Sequence, residues 1–206
     1  MNIYLLGDSV FDNGAYVEAG GSLIEILHNE FALEAKLLAV DGHKMEHLSG
    51  QVKKIDEAAY GDDCRIFVSV GGNDILPAAN ELTKRVGSVY EAFSHFHSLK
   101  SEFGVRCRLY ADIVAKLLKR GAEVGIFTIY EGNFDEDKKK ALSVGVSIFN
   151  DVLYRTFNEI SRTEENFRIY ELRDICNEHG DYANPIEPSS AGARKIANVI
   201  KSALEG

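Results

Sequence analysis

The chain has 206 residues, of which 45% are hydrophobic and 27% charged, a composition typical of one globular domain spanning residues 1–206. With 32 acidic residues against 23 Lys and Arg residues, the formal net charge is −9. This charge argues against nucleic-acid and anionic-membrane partners, because both attract basic surfaces.

The hydrophobic pattern predicts five strands that alternate with helices. The strands are predicted at residues 2–6, 33–40, 65–70, 122–130 and 167–172. The first helix is predicted to begin after a cap at Ser22. Further helices are predicted over residues 45–59, 135–160 and 189–204. Residues 88–119 are predicted to form two helices that are separated near Gly104. This alternation indicates a parallel sheet, and we expect a three-layer α/β/α sandwich with the flavodoxin-like strand order 2-1-3-4-5.

The cysteines and the N-terminal residues bear on the cellular compartment in which the protein is expected. Cys64, Cys107 and Cys176 lie far apart, and no pair has the Cys-x-x-Cys spacing of a metal or redox site. A membrane-spanning helix needs about 18 consecutive apolar residues, and no apolar run in the sequence is that long. No basic or apolar leader precedes the first predicted strand. We therefore expect a cytoplasmic protein with reduced thiols, no bound metal and no membrane association; the oligomeric state is left open.

Four polar segments follow predicted strands or precede the last helix, at residues 7–9, 41–42, 71–74 and 184–189. Ligands of open α/β sheets bind beyond the carboxyl ends of the strands, so these segments are predicted to share one rim. Acyl transfer needs a nucleophile, a base and fixed N–H donors for the oxyanion. Ser9 could be the nucleophile, with its own N–H, the Gly42 N–H and the Asn73 amide as donors. In the simpler alternative, Asp8 or Ser9 only caps the next helix.

These segments resemble the sequence blocks of the SGNH (GDSL) hydrolases. Gly7-Asp8-Ser9-Val10 matches the first block, Gly42 the second and Gly71-Gly72-Asn73-Asp74 the third. The resemblance implies a flavodoxin-like α/β/α fold and an esterase, lipase or other acylhydrolase acting on a small-molecule acyl substrate without a metal or organic cofactor. It also implies that Ser9 is the nucleophile and that Gly42 and Asn73 form the oxyanion hole.

The last block departs from the family pattern. Pro188-Ser189 and residues 191–197 fit the context that follows the family's Asp-x-x-His, but Asn184 stands at the aspartate position and Glu187 at the histidine position. Glu187 is the first candidate for the base. A free Glu has a pKa of about 4.3, so Glu187 would serve only if burial raised its pKa or if a water relayed the proton.

Other candidates for the base are His43, beside Gly42, and His179, which lies in the same loop as Glu187. Asp8, His43 and Asn184 are candidate substrate contacts. The competing hypothesis is a non-catalytic ligand-binding member of the superfamily with a degenerate site. A flavin or nucleotide binder is disfavoured, because no Gly-x-Gly-x-x-Gly loop follows the first strand.

Overall fold

A computed structural model of the chain describes residues 1–81 and 85–205, and a sheet of five parallel strands lies at its centre. The strand order is β2-β1-β3-β4-β5, which confirms the predicted topology. The bounds are β1 Asn2–Gly7, β2 Ala35–Leu37, β3 Cys64–Ser69, β4 Glu123–Phe127 and β5 Phe167–Tyr170. Parallel pairing aligns the carboxyl ends of neighbouring strands, since Gly7 pairs with Ser69 and Ser69 with Phe127.

Helices cover both faces of the sheet and complete the three-layer α/β/α sandwich. They are α1 Leu23–Asn29, α2 Leu48–Val52, α3 Gly72–Glu81, α4 Val89–Lys119, α5 Glu136–Thr163, α6 Leu172–Ile175 and α7 Ser190–Glu205. As predicted, Ser22 caps α1, in a capping box with Glu25. No helix in the described ranges is long and apolar enough to cross a membrane.

The two core clusters follow from the alternation of side chains along β1. Ile3 and Leu5 pack on the face covered by α1 and α7, whereas Tyr4 and Leu6 pack on the face covered by α2, α4 and α5. Successive strand residues point to opposite faces, so a strand covered on both sides must be apolar throughout. This requirement explains the continuous apolar runs of β1 and β3.

The structure corrects the prediction that Gly104 divides residues 88–119 into two helices. Helix α4 is continuous, and Gly104 is buried within it. A Cβ at Gly104 would lie 3.7 Å from Val152 Cγ1 on α5, which is an ordinary van der Waals distance. Burial of the apolar face of α4, rather than a special contact at Gly104, offsets the penalty of roughly 1 kcal/mol that an internal helical glycine carries relative to alanine.

Other element boundaries also differ from the prediction. Strands β2 and β4 are shorter than predicted, and residues 45–59 contain the short helix α2 between two 3₁₀ turns rather than one long helix. Helix α3, which begins at the third glycine-rich block, was not predicted at all. Its internal Pro77 and its glycine-rich start hid the helical pattern.

Candidate active site

Ser9 lies in a tight turn directly after β1. The Asp8 carbonyl accepts hydrogen bonds from the N–H groups of Phe11 and Asp12, at 3.1 and 3.0 Å. Before this turn, Gly7 has a φ of +127°, and a Cβ there would collide with the Ser69 carbonyl of β3. Only glycine fits this close approach, so the break in the apolar strand fixes where Ser9 emerges.

Gln51 on α2 holds this strand end in place. Its Oε1 accepts from the Gly7 N–H at 2.7 Å, and its Nε2 donates to the Gly7 carbonyl at 2.8 Å. Gln51 is 1% exposed, so both bonds form away from water. The sequence interpretation missed this residue, although a glutamine among the apolar Leu48, Val52 and Ile55 was the available signal.

Asn73 lies in the first turn of α3 and bridges two of the predicted blocks. Its Nδ2 donates to the His43 carbonyl at 3.1 Å, which leaves the second amide hydrogen available. Gly42, next to His43, has a φ of +77°, and a Cβ there would meet no atom within 4 Å. The loop that contains Gly42 is also tied to the turn that follows Ser9, because the Asp41 N–H donates to Asp12 Oδ2 at 3.0 Å.

The loop that carries Glu187 is fixed by several hydrogen bonds. Asn184 Oδ1 accepts from the N–H groups of Ile186 and Glu187, at 2.9 and 3.0 Å. Tyr130 Oη donates to the Ile186 carbonyl, and Asn13 Nδ2 donates to the Pro188 carbonyl at 3.3 Å. Asn184 therefore shapes the loop backbone. The sequence interpretation had named it as a candidate substrate contact and had not considered Asn13.

Glu187 projects its carboxylate into the site beside Ser9. Its side chain is nearly buried, with 6% of the residue exposed, and Oε2 has no hydrogen-bond partner among the described residues. Burial raises the pKa of Glu187, a hydrogen bond from the Ser9 hydroxyl opposes this rise, and Asp41 adds to it. The net direction is upward, toward the range in which a carboxylate accepts a proton more readily.

Asp8 is a second buried carboxyl group in the site. Its Oδ1 accepts from the Val10 N–H at 3.2 Å. Burial is the main cause that raises its pKa well above the ordinary value, and the nearby Glu187 and Asp74 carboxylates raise it further. Asp74 itself accepts from the Met45 N–H at 3.0 Å, which makes it a structural residue of the α3 turn.

The histidines lie in different surroundings. His43 Nδ1 is 2.8 Å from Gln51 Nε2, and the His43 ring stacks on His47 with centroids 4.4 Å apart. Because Gln51 Nε2 also donates to Gly7, it acts as a donor, so His43 Nδ1 accepts and Nε2 carries the proton. Burial and the nearby His47 lower the pKa of His43. His179 is exposed in a 3₁₀ turn.

One cavity joins four of the seven predicted site residues. It encloses about 880 Å³ including its open mouth, and its polar wall contains Asp8, Ser9, Asn73 and Glu187. Gly42, His43 and Asn184 are not among the described residues that line it. The structure therefore brings together a hydroxyl, a carboxylate with a free oxygen and an amide donor, which is the equipment that acyl transfer requires.

Comparison with solved structures identifies the class of fold. An extracellular lipase from Streptomyces rimosus is 13% identical, with a TM-score of 0.69 over 98% of this chain and 99% of that chain. Phospholipase A1 from Streptomyces albidoflavus NA297 is 11% identical, with a TM-score of 0.67 over 98% of each chain. Esterase EstA from Pseudoalteromonas sp. is 12% identical, with a TM-score of 0.56 over 100% of this chain and 99% of that chain.

No family model and no curated protein matches the sequence. The structural likeness extends over the whole of these chains, and other matches include a GDSL-like lipase. The protein therefore has the SGNH hydrolase fold, as the sequence blocks predicted. At these low identities the likeness establishes the fold, and the chemistry of this chain has to be argued from its own residues.

Proposed function

We propose that the protein is a serine hydrolase that cleaves carboxylic esters through an acyl-enzyme on Ser9, with Glu187 as the base. The observation that carries this proposal is the shared cavity, in which the Ser9 hydroxyl meets a nearly buried carboxylate with an unpartnered oxygen. A buried acceptor without a partner is unfavourable for folding, so its retention beside a hydroxyl suits a proton-transfer role.

In the proposed reaction, Ser9 Oγ attacks the acyl carbon as Glu187 accepts the hydroxyl proton. The C–O bond to the leaving alcohol then breaks, and the proton passes from Glu187 to the departing oxygen. Water attacks the resulting acyl-enzyme and gives its proton to Glu187, and Ser9 leaves as the proton returns to its oxygen. The products are a carboxylic acid and an alcohol, and every step uses side chains already present.

The developing oxyanion would be stabilised by the Ser9 N–H and the free hydrogen on Asn73 Nδ2. The Gly42 N–H, predicted as a third donor, is outside the described lining of the cavity. Support for Asn73 comes from its bond to the His43 carbonyl, which fixes the amide before substrate arrives. Preorganised donors of this kind stabilise charge without reorganising during the reaction. We also propose a cytoplasmic location, supported by the three buried and unbridged cysteines.

A fluorophosphonate probe tests the nucleophile directly. We expect covalent labelling of Ser9 alone, and we expect Ser9→Ala to lose both labelling and hydrolysis of p-nitrophenyl esters, by about 10³-fold or more. Ser69→Ala is the matched control, because Ser69 is another buried serine that lines the same cavity. Labelling that persists in Ser9→Ala would assign the nucleophile to another residue, whereas an absence of both labelling and ester hydrolysis in the wild-type protein would favour the non-catalytic binding alternative.

A further inference from the structure

The cavity that begins at Ser9 continues away from the strand ends, between helices α3, α4 and α5. We call this continuation the apolar arm. Its walls are large apolar side chains contributed by the three helices: Ile75, Leu76, Phe96, Leu142, Val146 and Phe149. Such a space excludes water from whatever fills it, and its natural ligand is therefore a flexible apolar group.

The charges around the cavity restrict the ligand further. The described lining residues include three acidic residues and no Lys, Arg or His; the acidic residues are Asp8, Glu131 and Glu187. A ligand with a carboxylate or phosphate on its apolar chain would find no cationic partner among these residues, and an unpaired charge is costly to bury. The apolar arm therefore suits an uncharged alkyl chain.

Gly145 on α5 is an unusual part of this wall. It lies between Leu142 and Val146, is buried and lines the cavity, yet a Cβ there would meet no atom within 4 Å. The residue differs in this respect from Gly104, where a Cβ would touch Val152. Helix packing thus does not require a glycine at position 145, and the missing side chain enlarges the arm.

We propose that the apolar arm binds the alkyl chain of a neutral, medium-length acyl group and that Gly145 determines how long this chain can be. The assignment of the chain as an acyl group rests on the proposed function, which places the ester carbonyl at Ser9. The arm itself is argued independently, from its lining and from the open space at Gly145.

The experiment compares p-nitrophenyl acetate with p-nitrophenyl octanoate. Burial of one methylene contributes about 0.8 kcal/mol, equivalent to a factor of about four. We therefore expect wild-type kcat/KM to be at least about tenfold higher for octanoate than for acetate. Gly145→Leu should remove this preference, while Gly145→Ala should reduce it by about fourfold.

Gly50→Leu is the matched control. Gly50 also lies in a helix with open space at its Cβ, but it is exposed and outside the cavity lining. We expect it to keep the wild-type preference. An unchanged preference in both Gly145 variants, or an equal loss in Gly50→Leu, would overturn the role of Gly145. The alanine variant keeps the test decisive if the leucine variant does not fold.

A binding measurement distinguishes a failure of this inference from a failure of the proposed function. In the Ser9→Ala background, NMR titration with methyl octanoate should show saturable binding, and adding Gly145→Leu should weaken it by at least about tenfold. If binding follows this pattern while no ester is hydrolysed by the wild-type protein, the proposed arm stands and the hydrolase proposal fails. If hydrolysis occurs but methyl octanoate binds both backgrounds equally, the arm is wrong and the hydrolase proposal stands.

Discussion

The site contains two regions that could supply a base, and they differ in what their acceptor atoms already do. Beside Ser9, the Glu187 carboxylate keeps Oε2 buried without a partner among the described residues. In the loop after β2, His43 Nδ1 accepts from Gln51, and the neighbouring His47 Nδ1 accepts from the Lys44 N–H at 2.9 Å. Both imidazoles therefore hold their remaining proton on Nε2 and have no free acceptor nitrogen.

The comparison shows that residue type alone is a poor guide to the base. A free imidazole has a pKa of about 6.5 and is better matched to neutral pH than a carboxylate. The structure nevertheless uses His43 to support Gln51, which in turn holds Gly7. The Glu187 carboxylate is the group with an unused acceptor beside Ser9, and its pKa is raised.

The largest expected effect tests this comparison at Glu187. Glu187→Gln preserves the shape of the side chain but cannot accept the Ser9 proton, so kcat for ester hydrolysis should fall by about 10²–10⁴-fold. The fold should persist, which circular dichroism would check. If the variant kept full activity while His43→Ala lost it, the two regions would exchange roles and our assignment would be wrong.

The next effect concerns the donor that links the two regions. Asn73→Ala removes the amide that faces the cavity and also donates to the His43 carbonyl. We expect kcat to fall by about 10²–10³-fold with KM changed far less, since an oxyanion donor acts mainly in the transition state. A raised KM at unchanged kcat would instead make Asn73 an ordinary substrate contact.

A pH profile sharpens the comparison through the raised pKa of Glu187. The proposed mechanism requires the ionised carboxylate, so kcat/KM should fall as pH drops, with a midpoint above the ordinary pKa of a Glu side chain. A midpoint at or below that value would contradict the assignment. The residual activity of Glu187→Gln should lack this acidic limb.

The same shift predicts a change in stability. A carboxyl whose pKa is higher in the folded state favours folding below its unfolded pKa, and this contribution is lost as pH rises through the folded pKa. Glu187→Gln should therefore unfold at a higher temperature than wild type at pH 7, and the difference should shrink toward pH 4. A variant that is less stable at pH 7 would indicate that the ionised carboxylate stabilises the fold.

The smallest effect on kcat is expected from a substitution of His43. His43→Ala leaves the Gln51–Gly7 bonds in place, so kcat should change by less than about threefold. Loss of one hydrogen bond should lower the free energy of unfolding by about 1 kcal/mol, measured by urea denaturation. A loss of kcat comparable to that of Glu187→Gln would remove the distinction between the two regions.

The fold was predictable because buried parallel strands need apolar residues on both faces, as β1 and β3 show. Ser9 and Asn73 could be named because they lie near the carboxyl ends of β1 and β3 and match blocks of the resembled family, and Glu187 because it stands at that family's histidine position. The Gln51 and Asn13 contacts were not predictable, since they join positions 44 and 175 residues apart in the chain. Gly104 misled the prediction because local propensity says nothing about the tertiary packing that stabilises α4.

The acidic wall of the cavity has a consequence for the order of events after hydrolysis. An ester enters uncharged, but the acid formed from it ionises near neutral pH beside Glu187, whose ionised form the proposed mechanism requires. The same wall that tolerates the substrate would then repel the product, because like charges in a partly buried site interact strongly. Product departure would be driven by electrostatics, and added carboxylate should be a weak inhibitor compared with an uncharged amide of equal chain length.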